Sequence, residues 1–332
     1  MMKNFWNDLP RPFFCLAPMA NVTDAAFRRI IAKYSKPHGP HIMYTEFVSA
    51  DGLIKGKREV LLKDLIFSDE ERPIVAQFFT SDLEMMERAA ALAQELRFDG
   101  VDINMGCPDR SMEKQGAGAK LILNPKRAQE LIAAAKNGAP NLPVSVKTRL
   151  GYNKDILDEW LPALLEAEPA AVAVHARTRK EMSKVAAHWE RVARAVEIRN
   201  ALRSETLIIG NGDVRDTESA RAKAKETGAD GIMIGRGIFG KPWLFSNSRE
   251  LENNLPARLK IAVEHAKLFE KLLGDAKSFA VMKKHFKAYL SGVALAKSDV
   301  EGFSGARELR AQLMKAENVA EVEQIIEEFL SR

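Results

Sequence analysis

Eight short apolar or β-branched runs, separated by stretches of helical periodicity, fill the first three quarters of the chain and restrict its fold more than any other feature. They are Phe13 to Ala17, Ile42 to Thr45, Ile74 to Phe78, Val101 to Asn104, Val144 to Thr148, Ala171 to His175, Thr206 to Ile209 and Gly231 to Ile234. The intervening helices carry start and stop signals. Ser81-Asp82-Leu83-Glu84 reads as a capping box opening a run through Leu96. Asn124-Pro125 sets a cap residue before a first-turn proline, for a helix ending near Asn137-Gly138, and Asp216 starts another that closes at Gly228. Strand–helix alternation calls for parallel pairing, and eight repeats are what a closed (β/α)8 TIM barrel needs. A doubly wound sheet of Rossmann type competes, but no G-x-G-x-x-G follows the first run.

Beyond about Leu251 no strand-like run remains, and the segment to Arg332 reads as three or four helices. Asn253-Asn254-Leu255-Pro256 marks the junction. The expected organisation is a barrel over 1–250 and an all-helical C-terminal domain over 251–332. A chain of 332 residues can bury a full core and still carry that second domain. No apolar stretch is long enough to span a bilayer. Met1-Met2-Lys3-Asn4-Phe5-Trp6-Asn7-Asp8 contains an acidic residue and no continuous apolar segment, unlike a signal peptide. A cytoplasmic protein is therefore expected. Two cysteines, Cys15 and Cys107, suit a reducing compartment, and neither a CxxC pair nor a metal-ligand spacing occurs, so no metal is expected. Cys15, inside an apolar run, reads as a small buried hydrophobe. The net charge of +5 permits a polyanionic partner without requiring one.

Two glycine-bearing turns, Gly210-Asn211-Gly212-Asp213 and Gly235-Arg236-Gly237, follow the last two apolar runs. In a barrel those strand ends, with the N-terminus of a short extra helix, form the usual phosphate-binding site. Ile238 to Phe245 suggests that helix. An anionic cofactor is implied. Strand alternation then sorts the polar residues. Ser145, Lys147 and Arg149 share one face of their run, His175 and Arg177 one side of theirs, and Asp102 and Asn104 another, while Gln77 stands alone among apolar neighbours. Gln77, Asn104, Lys147 and His175 would converge on one barrel mouth, where barrel enzymes place their sites. Any one of them could be an ordinary structural residue. Four together, facing two phosphate-type turns, read as a site.

At these residues the chain resembles the tRNA-dihydrouridine synthases. The matching stretches are Ala17-Pro18-Met19-Ala20-Asn21-Val22-Thr23-Asp24, Tyr44-Thr45-Glu46-Phe47-Val48-Ser49-Ala50, Asp102-Ile103-Asn104-Met105-Gly106-Cys107-Pro108, Val146-Lys147-Thr148-Arg149, Val174-His175-Ala176-Arg177-Thr178 and the two glycine turns. They come in the family's order and run the length of the barrel. The resemblance implies FMN as prosthetic group, NADPH as electron donor and a uridine of tRNA as substrate. It places the flavin beside Ala17, Pro18 and Met19, in contact with Gln77, Lys147 and His175, and its phosphate on Asn211, Gly212, Asp213, Gly235 and Arg236. Cys107 would be the proton donor, with Asn104 and Arg177 orienting the uracil. Saturating the uracil C5=C6 bond needs hydride at C6 and a proton at C5. A lysine near an anionic reduced flavin stabilises it, and a thiol with an ordinary pKa near 8.5 is mostly protonated at neutral pH, as a general acid must be. Arg236 suits a phosphate on its own chemistry, since a guanidinium can bond two phosphate oxygens. The glycine-spaced loop Met105 to Lys120 is long for its place and is expected to move as a lid.

In the tail, Phe279, Met282, Phe286, Tyr289 and Val293 recur at helical spacing and should pack inward. Lys277, Lys283, Lys284 and Lys287 fall on a neighbouring arc. Such a run is commonly just a solvated face. The resembled family binds tRNA with a C-terminal helical domain, which makes Lys283, Lys284 and Lys287 candidate phosphate contacts. No membrane and no obligate protein partner are expected, and a monomer suits a tRNA-sized partner. Two alternatives stay open at this point: a flavin-dependent dehydrogenase of free pyrimidines, and an RNA-binding barrel without chemistry. The first has no use for a basic tail, the second none for Cys107 and Lys147.

Overall fold

The computed structural model describes residues 4–56, 58–246, 248–291 and 305–331. Eight strands, β1 (Phe13–Leu16), β2 (Met43–Ser49), β3 (Ile74–Phe79), β4 (Gly100–Met105), β5 (Val144–Arg149), β6 (Ala171–His175), β7 (Leu207–Asn211) and β8 (Gly231–Ile234), alternate with helices. Every adjacent pair is parallel, and the order runs from β1 through β8 and back down to β2. A parallel bridge between Cys15 and Ile42, with the Leu16 N–H donating to the Ile42 carbonyl at 3.0 Å, joins β1 to the start of β2. The sheet thus curls into a (β/α)8 barrel rather than the open, order-reversing sheet of a Rossmann fold.

β2 continues past the Thr45 expected to end it. The register shifts between Tyr44 and Phe47, and the Thr45 hydroxyl accepts the Gln77 N–H at 3.0 Å where the ladder is interrupted. The polar pair Thr45-Glu46 hid that irregularity in the apolar pattern. Alternate residues sort into two layers. Phe13, Cys15, Tyr44, Val75, Ala173, Ile209 and Met233 fill the barrel, with Trp6 from the 3-10 turn Phe5–Asp8 5.7 Å from the Phe13 ring. Leu16, Ile74, Val101, Val146, Val174, Ile208 and Ile232 face the surrounding helices.

The helix Leu83–Glu95 is capped by Asp82, which accepts the Met85 N–H at 3.2 Å, and not by Ser81. Ser81 instead donates to the Gln115 carbonyl across the neighbouring loop. The caps at Asn124 and Asp216 stand as read, and Gly228 ends its helix in the left-handed conformation, φ 72°. The extra helix expected over Ile238 to Phe245 is two separate 3-10 turns, Arg236–Ile238 and Leu244–Ser246. Gly240, at φ +70°, breaks it. A Cβ on Gly240 would lie 2.1 Å from the Ala288 carbonyl oxygen, so barrel and tail touch backbone to backbone there.

The tail folds as Arg249–Asn253, Leu255–Leu273, Met282–Tyr289, Ala306–Leu313 and Val319–Leu330. Met282, Phe286 and Tyr289 are buried and Phe279 packs against them; Val293 lies outside the described residues. Their core is completed from the barrel by Ala26 and Ile30 of the helix Ala25–Ser35 and by Trp243. No helix among the described residues is long and apolar enough to cross a membrane.

Candidate active site

Because side chains alternate, the last inward residue of each strand reaches the carboxyl-end mouth. There a cavity of about 280 Å³ is lined by Ala17, Pro18 and Met19 after β1, Lys147 from β5, His175 and Arg177 at the end of β6, Asn211, Gly212 and Asp213 after β7, and Gly235 and Arg236 after β8. Of the residues expected to hold a cofactor, Gln77 alone lies outside this lining, buried below it. A wider hollow of about 920 Å³ opens at the opposite end, beside Trp6 and Pro143. Barrel chemistry sits at the carboxyl face, and the cavity lined by residues of five strand ends there is taken as the site.

The cavity is cationic. Burial and the nearby Arg149 lower Lys147 to about 8, against the pull of Asp102 and Cys107. Burial and the surrounding Lys147, Arg149, Arg177 and Arg236 push His175 far down, so its imidazole is neutral. Arg177 Nη1 lies 3.2 Å from His175 Nε2. A guanidinium only donates, so Nε2 accepts and the proton sits on Nδ1. Arg177 also donates twice to the Val185 carbonyl, at 2.8 and 2.6 Å, and pairs with Asp213, whose other oxygen takes Arg236 at 3.0 Å. Three cations against one carboxylate leave the lining positive. A Cβ on Gly235 would stand 3.6 Å from Met19 Sδ and 3.7 Å from the Ala17 methyl, in ordinary contact.

Beneath lies a buried polar group. Gln77 Nε2 donates to Asp102 Oδ2 at 2.6 Å, Asn104 Nδ2 to Gln77 Oε1 at 3.0 Å, and Ser145 Oγ to Asp102 Oδ1 at 2.6 Å. Burial raises the Asp102 carboxyl to about 6 despite the Ser145 and Gln77 bonds. Asn104 Oδ1 accepts the N–H groups of Gly106, at 3.1 Å, and Cys107, at 2.9 Å. The half-buried Cys107 thiol is pushed up by burial, opposed by a backbone N–H at Asp109, and is held in the protonated form. Arg149 was sorted to the right face but given no role. It donates to the Gly106 carbonyl at 2.7 Å and to the Thr178 and Met182 carbonyls, both at 3.1 Å, and so braces the Cys107 turn.

The loop expected to move contains a short helix, Arg110–Lys114, capped by Asp109. Its Glu113 accepts from Arg179 Nε at 2.6 Å, tying it to the loop after β6. In the tail, Lys283 and Lys284 are half-buried and Lys287 is exposed. Among the described residues none of the three is in an ion pair. Lys277, expected on the same arc, precedes the helix Met282–Tyr289 and is half-buried between Glu46 and Asp64 of the barrel.

A parallel (β/α)8 barrel has at its carboxyl face a cationic cavity with a neutral imidazole and a lysine, and a protonated thiol on the neighbouring turn, an arrangement that suits an anionic ligand. The family model described as Dihydrouridine synthase (Dus) matches residues 15–332, and the chain belongs to that family. It is 40% identical over 336 residues to a "Probable tRNA-dihydrouridine synthase" of Staphylococcus epidermidis, covering 100% of this chain and 98% of the relative. It is 39% identical over 338 residues to the "Probable tRNA-dihydrouridine synthase 2" of Bacillus subtilis, covering 99% and 97%. Among solved structures it is similar to histamine dehydrogenase from Rhizobium sp. 4-9, at 11% identity and TM-score 0.53, over 77% of this chain and 48% of that one. It is also similar to 6-hydroxypseudooxynicotine amine oxidase from Pseudomonas geniculata N1, at 12% identity and TM-score 0.52, over 79% and 53%. The chain spans about half of each of those two proteins, and the likeness is one of fold.

Proposed function

We propose that this protein is a flavin-dependent tRNA-dihydrouridine synthase that reduces the C5=C6 bond of uridines in tRNA, with FMN in the mouth cavity and NADPH as reductant. The observation that carries this reading is the protonated Cys107 thiol, within electrostatic reach of Lys147 in the lining of a cationic cavity, in a chain of this family. The donor set fits the group. Arg236 and the turn at Gly235 suit a phosphate, and Lys147 suits an anionic ring.

FMN held there by Lys147, His175 and Arg236 would supply hydride chemistry for C6 of the base. Cys107 gives the proton to C5 and is reprotonated from solvent. Lys147 offsets negative charge, and His175 offers Nδ1–H as a neutral donor. Asn104 and Arg177, each with an N–H beyond those already engaged, orient the uracil carbonyls. Lys283, Lys284 and Lys287 in the 251–332 domain take tRNA phosphates, which position but do not specify, while the base is turned out of its stack into the 1–250 barrel. The enzyme acts as a cytoplasmic monomer with no obligate protein partner.

The test is purification, release and identification of the flavin, and assay of dihydrouridine in tRNA. Cys107→Ala is expected to keep its flavin and lose about 10²–10⁴-fold in rate. A colourless protein that takes up no FMN, or reduction of free uridine with none of tRNA, overturns the reading.

A further inference from the structure

Below the cavity runs a line of hydrogen bonds whose direction is fixed at both ends. At one end Asp102, 0% exposed, presents a carboxylate that can only accept. At the other, the backbone N–H groups of Gly106 and Cys107 can only donate. Two side-chain amides, Gln77 and Asn104, bridge the gap. An amide can face either way, but only one orientation of this pair satisfies every link. Reversed, Gln77 would set its oxygen against the Asp102 carboxylate and Asn104 its N–H2 against two N–H groups. Both faults would be buried away from water.

We propose that Asp102 is a positioning residue: its carboxylate orients the Gln77 and Asn104 amides and through them holds the backbone that carries Cys107. Elsewhere the barrel is filled by apolar side chains such as Phe13, Val75 and Ala173, so packing alone does not call for an acid here. Ser145 occupies the second oxygen at 2.6 Å and keeps the carboxylate from turning. Burial raises its carboxyl, so the group is held here against the preference of the interior. The proposal rests on the reading of Cys107 as proton donor for its catalytic consequence, though not for the geometry.

Thiol alkylation separates the two. Cys15 is 0% exposed, so iodoacetamide uptake by the purified holoprotein reports on Cys107. Asp102→Asn can still show an oxygen to Gln77 by turning its N–H2 toward Ser145, whose hydroxyl can donate instead to the Val101 carbonyl, 3.4 Å away. It is expected to alkylate as the native protein does. Asp102→Leu removes the acceptor and is expected to alkylate about tenfold faster, the equivalent of one lost buried hydrogen bond. Its kcat on tRNA should fall while KM and flavin content hold. Gln77→Met cuts the line at the next link and gives the same alkylation readout if the Leu protein does not fold. Native alkylation rates in the Leu and Met proteins overturn the proposal, as does an Asn protein as altered as the Leu one. Loss of the tRNA activity altogether would leave the alkylation result standing.

Discussion

Lys277 of the helical tail places its ammonium 2.5 Å from Glu46 Oε2, in the register shift midway along β2, and 2.7 Å from Asp64 Oδ1. The other Glu46 oxygen accepts the backbone N–H of Asn21, which sits at φ 54° in the loop that starts with the cavity residues Pro18 and Met19. One carboxylate thus joins the tail to the cavity wall. Burial pushes the Glu46 carboxyl up and Lys277 pulls it down. Lys277→Met would strand buried acid and is expected to cost about 3 kcal/mol of stability, read by urea unfolding. A loss below about 0.5 kcal/mol, the size expected of an exposed pair, would remove the joint.

Lys147 titrates near 8 in the protein without an anion, so its positive charge declines as pH rises through that value. A reduced, anionic flavin needs that charge more than the oxidised one does. In Lys147→Met the flavin midpoint potential is expected to fall by about 30 mV or more, a tenfold shift for a two-electron couple. Potentiometry against a dye of known potential measures it. An unchanged potential would place Lys147 away from the flavin ring.

His265 and His285 are fully buried together where the tail meets the barrel, with ring centroids 4.6 Å apart and Phe27 within 5.0 Å of both. Burial lowers both, His265 to about 3. An unfolded imidazole titrates near 6.5. Between 6.5 and 3 the unfolded chain therefore binds protons that the folded one does not, and stability present above pH 6.5 drains away as pH falls. Asp102, held near 6, works in the opposite sense. The sharper prediction is a difference. His285→Phe should gain on the native protein by about 1.4 kcal/mol per pH unit below 6.5. Parallel stability curves from pH 7 to 5 would refute it.

Neutralising Lys283, Lys284 and Lys287 to Gln should weaken tRNA binding alike for different tRNAs. Each should also lower the slope of log affinity against log salt by about 1. Flavin content should not change. Filter binding across a salt series decides between phosphate contacts and a merely solvated face.

Much of this was open to reading in the chain. Apolar runs located every strand because a barrel wall is buried on both faces, one against the interior and one against the helices, and alternation then brought Lys147, His175 and Asn211 to one mouth. What stayed hidden depends on partners distant in sequence. Asp102 shows its face but not its role, which comes from Ser145 and Gln77 on the flanking strands. Lys277 looks like one more basic residue of the tail arc until Glu46 and Asp64, more than 200 positions earlier, are found beside it. The end of β2 was obscured by a polar bulge, and the Ser81 cap was lost to an adjacent aspartate that reaches the helix N-terminus better.

The tail core that borrows Ala26, Ile30 and Trp243 has a practical result for anyone dissecting the molecule. A truncation ending at residue 250 would not yield a minimal reductase. It would leave those three side chains as a bare oily patch, beside a Gly240 backbone that had lost its neighbour, and such a fragment would clump before it could be assayed. The two parts share one interior there and are best handled as one piece.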